Sequence, residues 1–268
     1  MKYGVWFVRL VFAGWMIPAG LNHFIPLFAQ PLGSQHLSRE LFTALWDSSL
    51  FDYVKLVELI AGLGALTGFY LPLALVVGMP VSFCVWYWDA VLEGSRAAYF
   101  GGAVLLCNVL LCLFYIGTYR AIFTVRTTPK PLGSKQLVLA GRIIFGAWML
   151  IAGINHFFGP FYAEPTGTQP LAIQLMSGVV DSHLIDVVLG IQLVGGALIL
   201  IGVLVPLALC VIMPTLVCAA YWAVILEHQP VGAIVALVAV ALNGLLCLAY
   251  IDYYKGVLQR RALAPGEV

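Results

Sequence analysis

Glu58 and His23 are the residues of this chain best suited to chemistry, a carboxylate and an imidazole set in or at the end of long apolar runs. In such surroundings proton uptake and release can be tuned towards neutral pH, so both are candidate acid–base groups. Ionisable side chains inside a bilayer cost at least about 2–3 kcal/mol and face an interior or a cavity rather than lipid. Lys55 and Asp89 share that setting at similar depth in successive predicted helices. An intramembrane ion pair between them is expected, because either charge alone would stand unpaired in a low dielectric. Asn22, Tyr87, Trp88, Glu93 and Asn108 accompany them as candidate ligand-binding groups.

Most of this set returns later in the chain. Asn155-His156 repeats Asn22-His23, Tyr221-Trp222 repeats Tyr87-Trp88, Glu227 repeats Glu93, Asn243 repeats Asn108, and Gln192 stands in the place of Glu58. Lys55 aligns with Leu189 and Asp89 with Ala223, which leaves the first half chemically richer. A polar chamber in each half, opening outward and floored near Asn108 or Asn243, is the simplest arrangement. The tyrosines and tryptophans equally fit an interfacial aromatic belt, and the Asn-His pairs fit helix ends capped by their own side chains.

The elements that must position these residues are set by a tandem duplication. GLNHF at 20–24 recurs as GINHF at 153–157, and Arg9/Arg142, Phe12/Phe145, Trp15/Trp148 and Met16/Met149 align with it. With 62% hydrophobic and 9% charged residues and a mean hydropathy of +1.01, an ordinary soluble core is excluded. A net charge of +1 leaves no basic excess for nucleic acid. Apolar runs at 3–24, 50–69, 71–92, 99–119, 137–157, 184–204, 206–226 and 232–253 approach the roughly 20 residues that span a bilayer. They lack period-two alternation, so the expected fold is all-α: a polytopic membrane protein with eight transmembrane helices. The expected organisation is a first four-helix repeat at 1–119, a linker at 120–136, a second repeat at 137–254 and a tail at 255–268. The first run resembles a signal peptide, but its repeat partner lies in mid-chain, which favours a retained helix.

Lys and Arg gather at the start, in the linker and at the end, which places all three in the cytoplasm and the protein in an inner (plasma) membrane. An even number of spans per half makes the repeats parallel, related by a pseudo-twofold axis along the membrane normal. On the outer side PLFAQPLGSQ at 26–35 matches PFYAEPTGTQ at 160–169, the mark of short re-entrant or interfacial caps. Met79-Pro80 and Met213-Pro214 place proline inside two helices. The six cysteines all lie in apolar runs without a CxxC pair, which favours packing over thiol chemistry.

The stretch VELIAGLGALTGFYLPLALVVGMPV at 57–81, an acid, a Gly-rich helix, a turn with proline and another apolar helix, resembles the DoxX-like family of four-helix membrane proteins. QLVGGALILIGVLVPLALCVIMPT at 192–215 repeats it, with Gln192 departing from the acid. The resemblance covers nearly the whole chain as two units. It implies a membrane subunit linked to quinone or redox-stress complexes, or an assembly or cargo-binding role, and it points to Glu58 and His23 as functional. A quinone-interacting subunit is the leading reading, with Tyr87 and Trp88 stacking on the ring. No flavin or dinucleotide fingerprint is present, so the electrons would have to come from a redox partner subunit or a bound metal. Haem or another metal is disfavoured, since the histidine spacing matches no local metal motif. A non-catalytic assembly subunit and a small-solute transporter are the alternatives.

Overall fold

The computed structural model describes residues 2–94, 96–130, 134–159 and 161–262. Pro160 of the second loop motif, residues 131–133 of the linker and the tail beyond 262 lie outside the described residues. The chain divides into two compact units, Met1–Arg120 with Lys255–Val268, and Ala121–Tyr254. The tail thus belongs with the first unit, and the start of the linker with the second.

In the first unit α1 (Lys2–Phe24), α2 (His36–Asp47), α3 (Leu50–Thr67) and α4 (Leu71–Tyr87) are followed by a π-helical turn, Trp88–Glu93, then α5 (Ala97–Phe114) and the short α6 (Ile116–Tyr119). The second unit runs α7 (Lys135–Phe158), α8 (Pro170–Asp181), α9 (Leu184–Ile201), α10 (Val205–Tyr221), a π-helical turn at Trp222–Glu227, α11 (Pro230–Ala249) and α12 (Ile251–Tyr254). Among the described residues the only extended pairings are two isolated bridges, Phe69 with Arg261 and Arg126 with Val203.

Among the described residues seven helical segments are long and apolar enough to cross a bilayer: α1, α4 with its π turn, α5, α7, α9, α10 with its π turn, and α11. Their outward side chains are apolar, Phe7 at 67% and Val194 at 60% exposure among them, as a lipid solvent demands. α3 has 18 residues but carries Asp52, Lys55 and Glu58, and those charges set it apart from the seven.

Small residues let the helices approach. A Cβ on Gly20 would sit 2.7 Å from Leu59 Cγ and 2.8 Å from the Lys55 carbonyl, so α1 crosses α3 there at backbone contact. Gly153 makes the same approach to Leu193 and the Leu189 carbonyl in the second unit. α3 ends at Gly68 and α9 at Gly202, each with φ +76° in the left-handed region that glycine adopts without strain. Arg9 reaches under the first of these ends, its Nε donating to the Ala65 carbonyl at 2.7 Å. A cation at a helix C-terminus also complements the helix dipole.

Candidate functional site

The repeated pentapeptide resolves into separate tasks. Its glycine admits the neighbouring helix. Asn22 Oδ1 accepts from the backbone N–H groups of Leu27 and Phe28 at 2.8 and 2.7 Å, and Asn155 Oδ1 accepts from Phe161 and Tyr162 at 2.7 and 3.0 Å. Each asparagine therefore closes the loop that leaves its helix. His23 Nε2 lies 2.7 Å from Asp52 Oδ1, and His156 Nε2 lies 2.7 Å from Asp186 Oδ1. His156 also places Nδ1 2.9 Å from Glu164, whereas His23 Nδ1 is buried with no hydrogen-bond partner among the described residues. Rings of Phe24, Trp46 and Phe51 meet His23 edge-on with centroids 5.0–5.4 Å away.

The buried charges sit one turn below. Lys55 Nζ donates to both Glu58 oxygens, at 3.0 and 2.9 Å, and lies 4.8 Å from the centre of the Phe51 ring. The two side chains are 10% and 2% exposed. This corrects the expected Lys55–Asp89 pair. Glu58 lies at i+3 on the same helix face, so it captures the ammonium locally without bridging two helices. Asp89 instead lies against α5 at Gly101. A Cβ on Gly101 would lie 2.7 Å from Asp89 Oδ2, so the glycine makes room for that carboxyl.

In the second unit the corresponding position is quieter. Gln192 Nε2 is 3.5 Å from Thr215 Oγ1, a long contact between neutral groups, and Leu189 replaces the lysine. Asn108 and Asn243 are fully buried latches between helices. Asn108 Nδ2 donates to Ser82 Oγ at 3.0 Å and Asn243 Nδ2 to the Leu209 carbonyl at 3.2 Å.

The remaining candidates hold the loops before α2 and α8. Glu93 accepts from Ser34 N and Oγ at 2.6 Å each, from Gln35 N at 3.3 Å, and from the Ser38 hydroxyl. Glu227 accepts from Thr168 N at 2.8 Å, its Oγ1 at 2.6 Å and Gln169 N at 3.3 Å. The Gly-Ser/Thr-Gln repeat in the two loops thus exists to present donors to a carboxylate at the start of α2 or α8. Trp88 Nε1 donates to the Ser38 carbonyl at 3.0 Å and Trp222 Nε1 to Ala172 at 2.9 Å, pinning the same helices. Tyr87 is buried and stacks obliquely on Phe83, and Tyr221 sits half-buried at the matching helix end.

His23, Lys55 and Glu58 are therefore brought together around Phe51, while Asn22, Trp88 and Glu93 are engaged by α2 and its loop. Sequence reasoning missed Asp52 and Asp186, although both stand in the first turn of repeated helices, and it missed α2 and α8 as helices. Chemically, the first-unit cluster runs from a half-exposed acid, Asp52, through His23 to an almost fully buried Lys–Glu pair. No hydrogen bond among the described residues joins His23 to the Lys55–Glu58 pair; the Phe51 ring touches both. Compared with known protein families, curated proteins and solved structures, the chain matches none.

Proposed function

We propose that this chain is a DoxX-like, quinone-interacting membrane subunit whose first unit exchanges protons through Glu58 and His23. Its topology in this reading is eight spans in two parallel four-helix repeats, with both termini cytoplasmic in an inner membrane. α3 is then the eighth span, its charges turned inward. The observation that carries the reading is the buried Lys55–Glu58 pair beneath His23 and Asp52, which the second unit replaces with Leu189 and Gln192.

The residues present fit a quinone by one criterion in particular. His23 Nδ1 is a buried, unpartnered ring nitrogen beside the aromatic rings of Trp46 and Phe51, a setting for a flat apolar ring with a carbonyl acceptor. When bound, the quinone supplies a two-electron, two-proton couple, and a partner subunit supplies the electrons. Lys55 balances the charge of Glu58 until the carboxyl takes or gives its proton. His23 holds a second proton and relays it to Asp52, which is half exposed at the outer surface.

A specific observation favours a second reading, a non-catalytic assembly subunit. Asn22, Trp88, Glu93 and their counterparts are spent on fixing the outer helices, and α2 leaves Trp46 45% exposed for a partner. Titration of the purified protein with decylubiquinone, followed by tryptophan quenching, separates the two. Saturable binding is expected, weakened at least about tenfold in Glu58→Gln and His23→Ala, as loss of a positioned acid–base or hydrogen-bonding group implies. His156→Ala is expected to bind as the parent does. Absence of saturable binding, with loss of a partner's abundance in cells lacking the chain, would establish the assembly reading instead.

A further inference from the structure

Arg142 occupies in the second unit the position that Arg9 occupies in the first, and the two have different surroundings. Arg9 is 4% exposed, donates to Ala65 and Leu66 at the end of α3, and lies 4.1 Å from the centre of the Trp6 ring. Leu139 stands where Trp6 would be, and Arg142 Nε is buried without a hydrogen-bond partner among the described residues. Beside it lies a cavity of about 240 Å³ whose polar lining is Thr128, Lys135, Arg142 and Tyr250. Tyr250 is 1% exposed, and its hydroxyl is likewise without a partner among the described residues. A buried guanidinium N–H and a buried phenol left unsatisfied each cost about 1–3 kcal/mol, more when charged, and a ligand rich in acceptor oxygens recovers that cost.

The cavity is built rather than incidental. Its outer wall is the segment around Thr128, fixed by Leu204 N to the Val125 carbonyl at 3.0 Å, Thr128 N to the Tyr253 hydroxyl at 3.0 Å and Lys130 N to the Ala249 carbonyl at 2.7 Å. Asp252 of α12, outside the lining, is paired with Lys130 at 2.8 Å. Two cations with a planar fork and a point charge match a phosphate group. Lys135 begins one candidate span and Tyr250 directly follows another that ends at Ala249, so the cavity lies at head-group depth. We infer that Arg142, Lys135, Tyr250 and Thr128 bind a phosphate group, presented by an anionic phospholipid. This site is independent of the quinone reading.

The test uses the full chain in detergent, with thermal midpoint and native mass spectrometry read against phosphatidylglycerol, phosphatidylcholine and inorganic phosphate. Phosphatidylglycerol is expected to raise the midpoint and to remain bound after delipidation. Arg142→Gln should weaken it at least tenfold and Tyr250→Phe about threefold, the latter being a conservative change that keeps the fold should Arg142→Gln fail to assemble. Arg9→Gln should lower the midpoint without changing lipid affinity. Saturable binding of inorganic phosphate alone, lost in Arg142→Gln, keeps the phosphate site and overturns lipid as its source. Equal stabilisation by both lipids in parent and variants marks bulk solvation and overturns the site.

Discussion

A lysine and a glutamate at i and i+3, both nearly sealed from solvent, form a pair whose halves cannot be removed independently. Removing one partner of a buried ion pair costs about 3–5 kcal/mol, whereas replacing both by well-packed neutral groups is often neutral. The second unit already carries the neutral version, Leu189 and Gln192. Lys55→Leu alone should therefore destabilise the protein by about 3–5 kcal/mol, and Lys55→Leu with Glu58→Gln should recover most of that loss. Denaturant unfolding in micelles of the single, double and parent proteins checks this; a single variant no weaker than the double would contradict it. The expectation that Asp89 would neutralise Lys55 arose because depth along a helix can be counted in a sequence while the facing direction cannot. The i,i+3 spacing of Lys55 and Glu58 is the better guide to the pair.

The helical hairpins are organised by close contacts and by carboxylates at loop donors. Glu93 and Glu227 each tie the start of α2 or α8 to a π-helical turn. Glu93→Ala should cost about 1–3 kcal/mol of local stability, the usual loss for hydrogen bonds to a charged acceptor. It should show as faster amide exchange over α2 with unchanged exchange in α4; unaltered protection of α2 would show that the carboxylate does not hold it. Gly153→Leu should be more damaging, because even a Cβ there would lie 2.7 Å from Leu193 Cα. Overpacking of that kind costs about 1–3 kcal/mol or more, read as a lowered thermal midpoint; an unchanged midpoint would deny the α7–α9 crossing.

At this scale the apolar runs were the most legible feature, since length and composition alone mark a helix that can cross a bilayer. α2 and α8 were not legible as helices. Twelve residues between proline- and glycine-rich loops read as a cap, and their helicity depends on the carboxylates and tryptophans that pin them. The π-helical turns have no counterpart in composition or period. Repeated motifs showed that the loops mattered, but their reason lay in the donors they offer to Glu93 and Glu227.

Across the whole molecule the division of labour is unequal. Each unit carries the same order of elements, yet the first holds the interior ion pair and the second an arginine open to a cavity. The proposed topology counts α3 as a span despite its three charges. Reporter fusions after residue 130 and after residue 262 should then read out on the same side, opposite to a fusion in the loop after Gly94. Opposite sides for the two former positions would remove a span and with it the parallel arrangement. The interior pair, placed beneath a surface-connected imidazole, is the feature that most distinguishes the first unit.

The most direct measurement is the quinone content of the purified protein, by mass spectrometry of its organic extract, for the parent and for Lys55→Leu with Glu58→Gln. The double variant is the right comparison because it is expected to fold. About one quinone per chain in the parent and little in the variant is the predicted result, since the group that holds the proton has been removed while the scaffold stays. Equal quinone in both proteins, or only bulk phospholipid in the parent, would contradict a quinone site at Glu58.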